Sequence, residues 1–83
     1  MQSKINIAAK GEGHQTLVYE TENHEQVNDV VQTLTQKYSD KFIIFGKELG
    51  TNEAVQIQKK QIRDFVMSDK YSEKAVLQPH GGG

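Results

Sequence analysis

Three consecutive glycines, Gly81, Gly82 and Gly83, close the sequence just after the apolar stretch Ala75-Val76-Leu77. Glycine lacks a Cβ and reaches backbone angles closed to other residues, so such a run is the thinnest and most flexible segment a chain can present. Threaded into a narrow active site, it would offer its terminal carboxylate as the reacting group. The competing reading is a loose end without a role, because chain termini are commonly poorly ordered.

No other set of residues assembles a reaction centre. His14, His24 and His80 fall in a turn, at a helix start and in the tail, without metal-ligand spacing, and read as solvent-exposed. Glu20, Glu22, Glu25 and Asp29 cluster at the same helix start, where negative charge complements the helix dipole; that explains them better than acid–base catalysis. Lys59, Lys60 and Arg63 form the densest basic patch but lack a neighbouring aromatic platform for nucleic-acid bases. Gly11-x-Gly13 precedes a strand rather than a helix, which makes it a hairpin turn and not a phosphate loop. The chain is not expected to be an enzyme, and no metal or cofactor is expected.

Composition narrows the class further. Eighty-three residues make one small domain with a modest core, and at 35% hydrophobic content each apolar residue is a core or interface candidate. The absence of cysteine excludes disulfides, thiolate metal sites and a cysteine nucleophile, and fits a reducing cytoplasm. A net charge of −1, with ten basic and eleven acidic residues, gives no electrostatic footprint for nucleic acid or an anionic membrane. The longest strongly apolar run, Phe42 to Phe45, is too short to span a bilayer.

The elements that would position the tail follow from periodicity. Lys4 to Ala9 alternates with Ile5, Ile7 and Ala9 on one side, and Gln15 to Thr21 returns with Leu17 and Tyr19 on one face and Val18 on the other. Glycines at 11 and 13 suit the turn between these two strands. Asn23 is a good N-cap with Gln26 three residues on, and Val27, Val30, Val31, Leu34 and Tyr38 recur at helical spacing over about residues 24–38. Phe42-Ile43-Ile44-Phe45 reads as an interior strand with two apolar faces. One helix covers one face, so a surplus pair must be exposed or meet a partner. Ile43 and Phe45 are assigned inward, beneath Val27, Val30, Val31 and Leu34 together with Ile5, Ile7 and Leu17. Phe42 and Ile44 are assigned outward as a partner-binding patch. The rival is that residues 59–72 fold back and bury Phe42 and Ile44. Val55 and Ile57 alternate as a short strand; Ile62, Phe65 and Val66 fit either a helical turn or an irregular strand; Lys74 to Gln78 is a last strand stopped by Pro79.

Hairpin, helix, apolar strand, short strand, last strand and glycine tail, in that order, resemble the β-grasp fold of ubiquitin-like proteins over most of the chain. Ile43-Ile44-Phe45-Gly46-Lys47-Glu48-Leu49 is similar to the segment that carries the recognition patch of ubiquitin, and Ile57-Gln58-Lys59 and Val76-Leu77 fall in corresponding places. Departures are Pro79-His80 in place of a basic stretch, a third glycine, and a longer segment from Lys59 to Ser72. The resemblance implies an α+β, β-grasp domain over residues 1–78 with a flexible tail at 79–83, in a bacterial or phage ubiquitin-like modifier. It further implies that an E1-like activating enzyme adenylates the Gly83 carboxylate with ATP. An E2-like conjugating enzyme then carries it to a target amine, giving an isopeptide bond, and a deconjugating protease reverses the linkage. Gly81, Gly82 and Gly83 would form the conjugation tail. The sulfur carriers share this fold and would end as a thiocarboxylate. A non-conjugated binding or inhibitor module, or a self-assembling homo-oligomer using the Phe42/Ile44 patch, remains open.

Overall fold

A computed structural model of the chain describes residues 1–9, 11, 13–38 and 42–78. It is an α+β fold: a mixed five-stranded sheet with two helices. Strand β1 (Gln2–Ala9) and β2 (Gly13–Glu20) form the opening hairpin, paired from Gln2↔Glu20 to Ala9↔Gly13. Gly11 and Gly13 sit at φ +85° and +73°, the left-handed values that the turn requires and that glycine reaches without cost. Lys10, Glu12 and residues 39–41 lie outside the described residues.

Helix α1 (His24–Gln32) starts at Asn23, whose Oδ1 accepts the backbone N–H of Gln26 at 3.1 Å. The reciprocal half of the expected capping box is re-aimed: Gln26 Oε1 accepts from the backbone N–H of Glu20 at 2.7 Å, tying the helix start to the end of β2. Beyond Gln32 the helix widens into a π turn, Thr33–Lys37. Two threonines there return their hydroxyls to the backbone, Thr33 to the Asp29 carbonyl and Thr35 to the Val31 carbonyl, both at 2.8 Å. Such back-bonding competes with the regular ladder and loosens it. The expected helix over 24–38 is therefore one continuous run in two geometries, and it still buries Val27, Val30, Leu34 and Tyr38.

Strand β3 (Ile43–Glu48) is followed by β4 (Ala54–Gln56), a 3₁₀ turn (Lys59–Gln61), helix α2 (Ile62–Met67) and strand β5 (Tyr71–Leu77). The sheet order is β2-β1-β5-β3-β4, with β5 parallel to β1 and antiparallel to β3. Ile62, Phe65 and Val66 thus resolve as helix, all three buried. The last strand begins three residues earlier than expected, because Tyr71 and Glu73 also pair with β3, across a bulge at Lys47/Glu48.

The apolar core lies on the helix side of the sheet: Ile5 and Ile7 of β1, Tyr19 of β2, Ile44 of β3 and Val76 of β5, under α1 and α2. Its parity corrects the expected facing of β3. Ile44 is paired with the fully buried Val76 and is itself only 6% exposed, whereas Ile43 is 38% exposed. Phe42 is half-buried and meets the buried Tyr38 ring edge-on at 4.8 Å. Gly46 shows why the strand cannot turn over. It shares the face of Ile44, and a Cβ there would lie 2.6 Å from Tyr71 Cδ1 and 2.8 Å from Phe65 Cε1. The Phe65–Tyr71 pair, centroids 5.1 Å apart, occupies that space. The surplus apolar face of β3 is therefore Ile43 and Phe45, and the returning segment with Ile57 and Ile62 flanks Phe42 and Ile44.

Candidate functional site

The side of the sheet opposite the helices carries two cross-strand rows. One runs His14–Ala8–Leu77–Ile43 and the next Thr16–Asn6–Ala75–Phe45–Gln56, each residue paired with its neighbours in register. Their centres are apolar: Ala8, Ala75, Leu77, Ile43 and Phe45. Leu77 is 42% exposed, Ile43 comparably so, and Ala8, Ala75 and Phe45 are half-exposed. These residues occupy the three central strands, β1, β5 and β3, and polar residues close both ends of the second row.

This face extends to the last described residues of the chain. Leu77 is the last residue of β5, and Gln78 extends the pairing by one bond, its N–H donating to the Ala8 carbonyl at 3.1 Å. Pro79, His80 and the expected conjugation residues Gly81, Gly82 and Gly83 lie outside the described residues. The patch expected at Phe42 and Ile44 is not on the surface in that form. What flanks it on the helix side is a cleft of about 140 Å³ lined by Phe42, Ile44, Ile57 and Ile62 among others. That is below the roughly 300–1,000 Å³ of small-molecule sites.

The remaining candidates stay apart. His14 and His24 are exposed, on β2 and at the start of α1. Among the described residues no group of three His, Asp or Glu side chains comes together as a metal site. Glu20 and Glu22 stand 3.3 and 3.4 Å from the Met1 amine. Arg63 Nη1 donates to Asn28 Oδ1 at 3.0 Å, joining α2 to α1. Among the described residues no helix is long and apolar enough to cross a membrane.

One polar centre was missed by sequence reasoning. Lys74 is buried, 3% exposed, on the helix side of β5. Its Nζ, with three N–H donors, lies within hydrogen-bond distance of four oxygens: Ser68 O at 2.7 Å, Ser3 Oγ and Tyr19 Oη at 3.0 Å, and Val66 O at 3.1 Å. Tyr19 Oη in turn donates to Val66 O at 2.7 Å. Among the described residues no carboxylate lies within ion-pair distance. Burial pushes the ammonium down from 10.5 to about 8, and the charge of Asp69 acts against that shift. Burial likewise raises the Tyr19 phenol, offset by its bond to Ser3. The sequence held one signal for this centre: in a strand, position 74 shares the face of Val76. Lysine is so rarely buried that its residue type argues against the inward position that alternation gives it.

Comparison with known proteins finds no matching family model, no matching curated protein and no matching solved structure.

Proposed function

We propose that this chain is a β-grasp, ubiquitin-like protein modifier whose glycine tail is the reacting segment. The observation that carries the reading is the position of β5. It lies at the centre of the sheet, parallel to β1, and leads through Gln78 toward the glycine run beside an open apolar face. The strand order, the opening hairpin and the helix packed across one side of the sheet support the same reading.

In this scheme the Gly83 carboxylate attacks the α-phosphate of ATP on an activating enzyme, giving an acyl adenylate and releasing pyrophosphate. A thiolate of that enzyme displaces AMP to form a thioester. A target amine then attacks the thioester carbonyl, an amide forms and the thiol is released. Every nucleophile belongs to a partner, consistent with a chain that holds no cysteine. Glycines at 82 and 83 allow passage through a channel too narrow for a Cβ. The docking surface moves from the expected Phe42/Ile44 pair to Ile43, Phe45 and Leu77, since desolvated apolar side chains dominate such interfaces.

The test is incubation of the full chain with candidate activating enzymes and ATP. A thiol-sensitive adduct is expected, lost in Gly83→Ala and retained in Ile62→Val, a conservative core change. A product in which sulfur replaces one carboxylate oxygen would assign the sulfur-carrier alternative. Full adduct formation by a chain lacking residues 81–83 would overturn both. The exposed Ile43 and Leu77 favour a second reading, a binding or self-assembling module whose tail has no role. Its signature is association that Ile43→Ser abolishes and tail removal leaves intact.

A further inference from the structure

Strand β2 is an edge of the sheet, and the phase of its hydrogen bonds shows which groups line that edge. Thr21 N–H donates to the Met1 carbonyl at 3.0 Å, continuing the hairpin register by one pair. Backbone groups alternate sides along an antiparallel strand, so the odd-numbered residues of β2 turn theirs toward β1 and the even-numbered residues turn theirs outward. Glu20 agrees with this phase. Its N–H donates to Gln26 Oε1 at 2.7 Å and its carbonyl accepts from Asn23 N–H at 3.1 Å, both partners belonging to the start of α1. His14, Thr16 and Val18 each present one N–H and one C=O along the rest of the edge. Among the described residues no element pairs with them.

Natural sheets guard such edges with lysine, proline, a bulge or a very short strand. The opposite edge, β4, is three residues long. β2 runs for eight residues in unbroken register, with neither lysine nor proline, and from Gly13 to Tyr19 it carries no formal charge when His14 is neutral. This edge is also its own complement. Residues that meet across an antiparallel pair share a face, so a two-fold axis relating two β2 strands must pass through a residue rather than between two. An axis at Thr16 sets Thr16 against the second copy's Thr16 and His14 against its Val18, and every outward group of the three residues gains a partner. Glu20, already engaged by α1, falls just beyond the pairing. An axis at Leu17 would set His14 against that engaged Glu20.

We propose that a second copy of this chain pairs antiparallel with the outer edge of β2, about a two-fold axis at Thr16, so that one sheet runs through both molecules. The side chains agree with this register. On the open face Thr16 meets Thr16, a favourable cross-strand pair, and each hydroxyl is already turned to Asn6 Oδ1 at 3.1 Å. The exposed His14 ring stands beside the second copy's exposed Val18, at the rim of an open hollow of about 330 Å³ that Val18 lines with Gln2, Ser3 and Lys4. A net charge of −1 gives two copies little mutual repulsion. Contact along a single strand edge falls short of the roughly 1,000 Å² of a stable complex, so the dimer is weak and concentration-dependent. It leaves Ile43, Phe45 and Leu77 on β3 and β5 uncovered, and it does not rest on the modifier reading.

Sedimentation equilibrium of the full chain, over a concentration series reaching the millimolar range, tests this. The mass is expected to rise from monomer toward dimer. A monomer throughout overturns the proposal and leaves the edge to an extended segment of another protein. Amide exchange on ¹⁵N-labelled chain should show protection growing with concentration at His14, Thr16 and Val18, and not at Gln15 or Leu17, which already face β1. Thr16→Pro removes an N–H that points away from β1, a position where an edge strand tolerates proline, and should weaken association about tenfold or more. Should that variant fail to fold, Val18→Lys places a guarding charge at an exposed site and should act alike. Ile43→Ser should leave association unchanged; if it abolishes association while the β2 variants retain it, the open face is the contact and the proposal falls. Because the chain holds no cysteine, Thr16→Cys reports the axis directly. It should oxidise to a linked dimer faster than Ala54→Cys on the exposed β4 edge, and an equal or slower rate overturns the pairing.

Discussion

Helices α1 and α2 cover the same side of one sheet by different means. α1 and the π turn that continues it bring Val27, Val30 and Leu34 into one buried cluster with Ile5 and Ile7, aliphatic side chains that repack with some tolerance. α2 closes the other end with Ile62, Phe65 and Val66, but over a glycine and a lysine. The Phe65 and Tyr71 rings fill the space a Cβ would take at Gly46, and beside them Lys74 binds four oxygens. One half is held by apolar area that many sequences could supply. The other depends on a close approach and a satisfied polar network, in which a single atom added or removed has no easy compensation. Burial disfavours the charged state of Lys74, and the oxygens around its Nζ offset that cost.

The largest effect tests the α1 half. Leu34→Ala, at a site with no exposure, should cost about 2–5 kcal/mol in denaturant unfolding, a large share of the stability of so small a domain. An unchanged midpoint would mean that α1 does not pack as described. Next, Gly46→Ala should cost about 1–3 kcal/mol through overpacking. Combining it with Phe65→Leu should recover part of that loss, and a double-mutant cycle with zero coupling would remove the claimed contact.

A smaller effect is expected at Tyr19. Tyr19→Phe deletes the bond to Val66 O and one ligand of Lys74, for about 0.5–1.5 kcal/mol, and should leave the α1 contacts intact. The titration midpoint of Lys74 should fall as well, because a neutral acceptor that favours the ammonium is gone. A rise in that midpoint would contradict the network. The smallest effect belongs to the open face: Ile43→Ser or Leu77→Ser should move stability by no more than about 0.5 kcal/mol, since both side chains already meet solvent. A loss several times larger would mean that this face contributes to the folded monomer and is not a free docking surface.

Much of the fold was legible because period and parity are local properties. The alternation at Ile5, Ile7 and Ala9, the glycine turn, the Asn23 cap and the valine stripe each follow from residues a few positions apart. The facing of β3 was not legible. Phe42-Ile43-Ile44-Phe45 is apolar on both sides, so alternation permits two registers with equal force. The deciding residue was Gly46, whose lack of a side chain carries meaning only once Phe65 and Tyr71 are known to lie over it. The candidate docking face inherited that ambiguity and moved from Phe42 and Ile44 to Ile43, Phe45 and Leu77.

What this chain determines by itself is therefore the set of its elements: a hairpin, one amphipathic helix, later short strands, and a glycine run after the last of them. Those are written in spacing, capping and backbone freedom, all of them short-range. Only the tertiary structure decided which face of β3 is dry, that residues 62–67 are helical, and that Lys74 points into the core. Each of these depends on contacts between segments distant in sequence, such as Lys74 with Ser3 and Gly46 with Phe65. A lysine carries the same apolar stem and charged head wherever it stands; whether its head meets water or four protein oxygens is settled by the packing of the other elements around it.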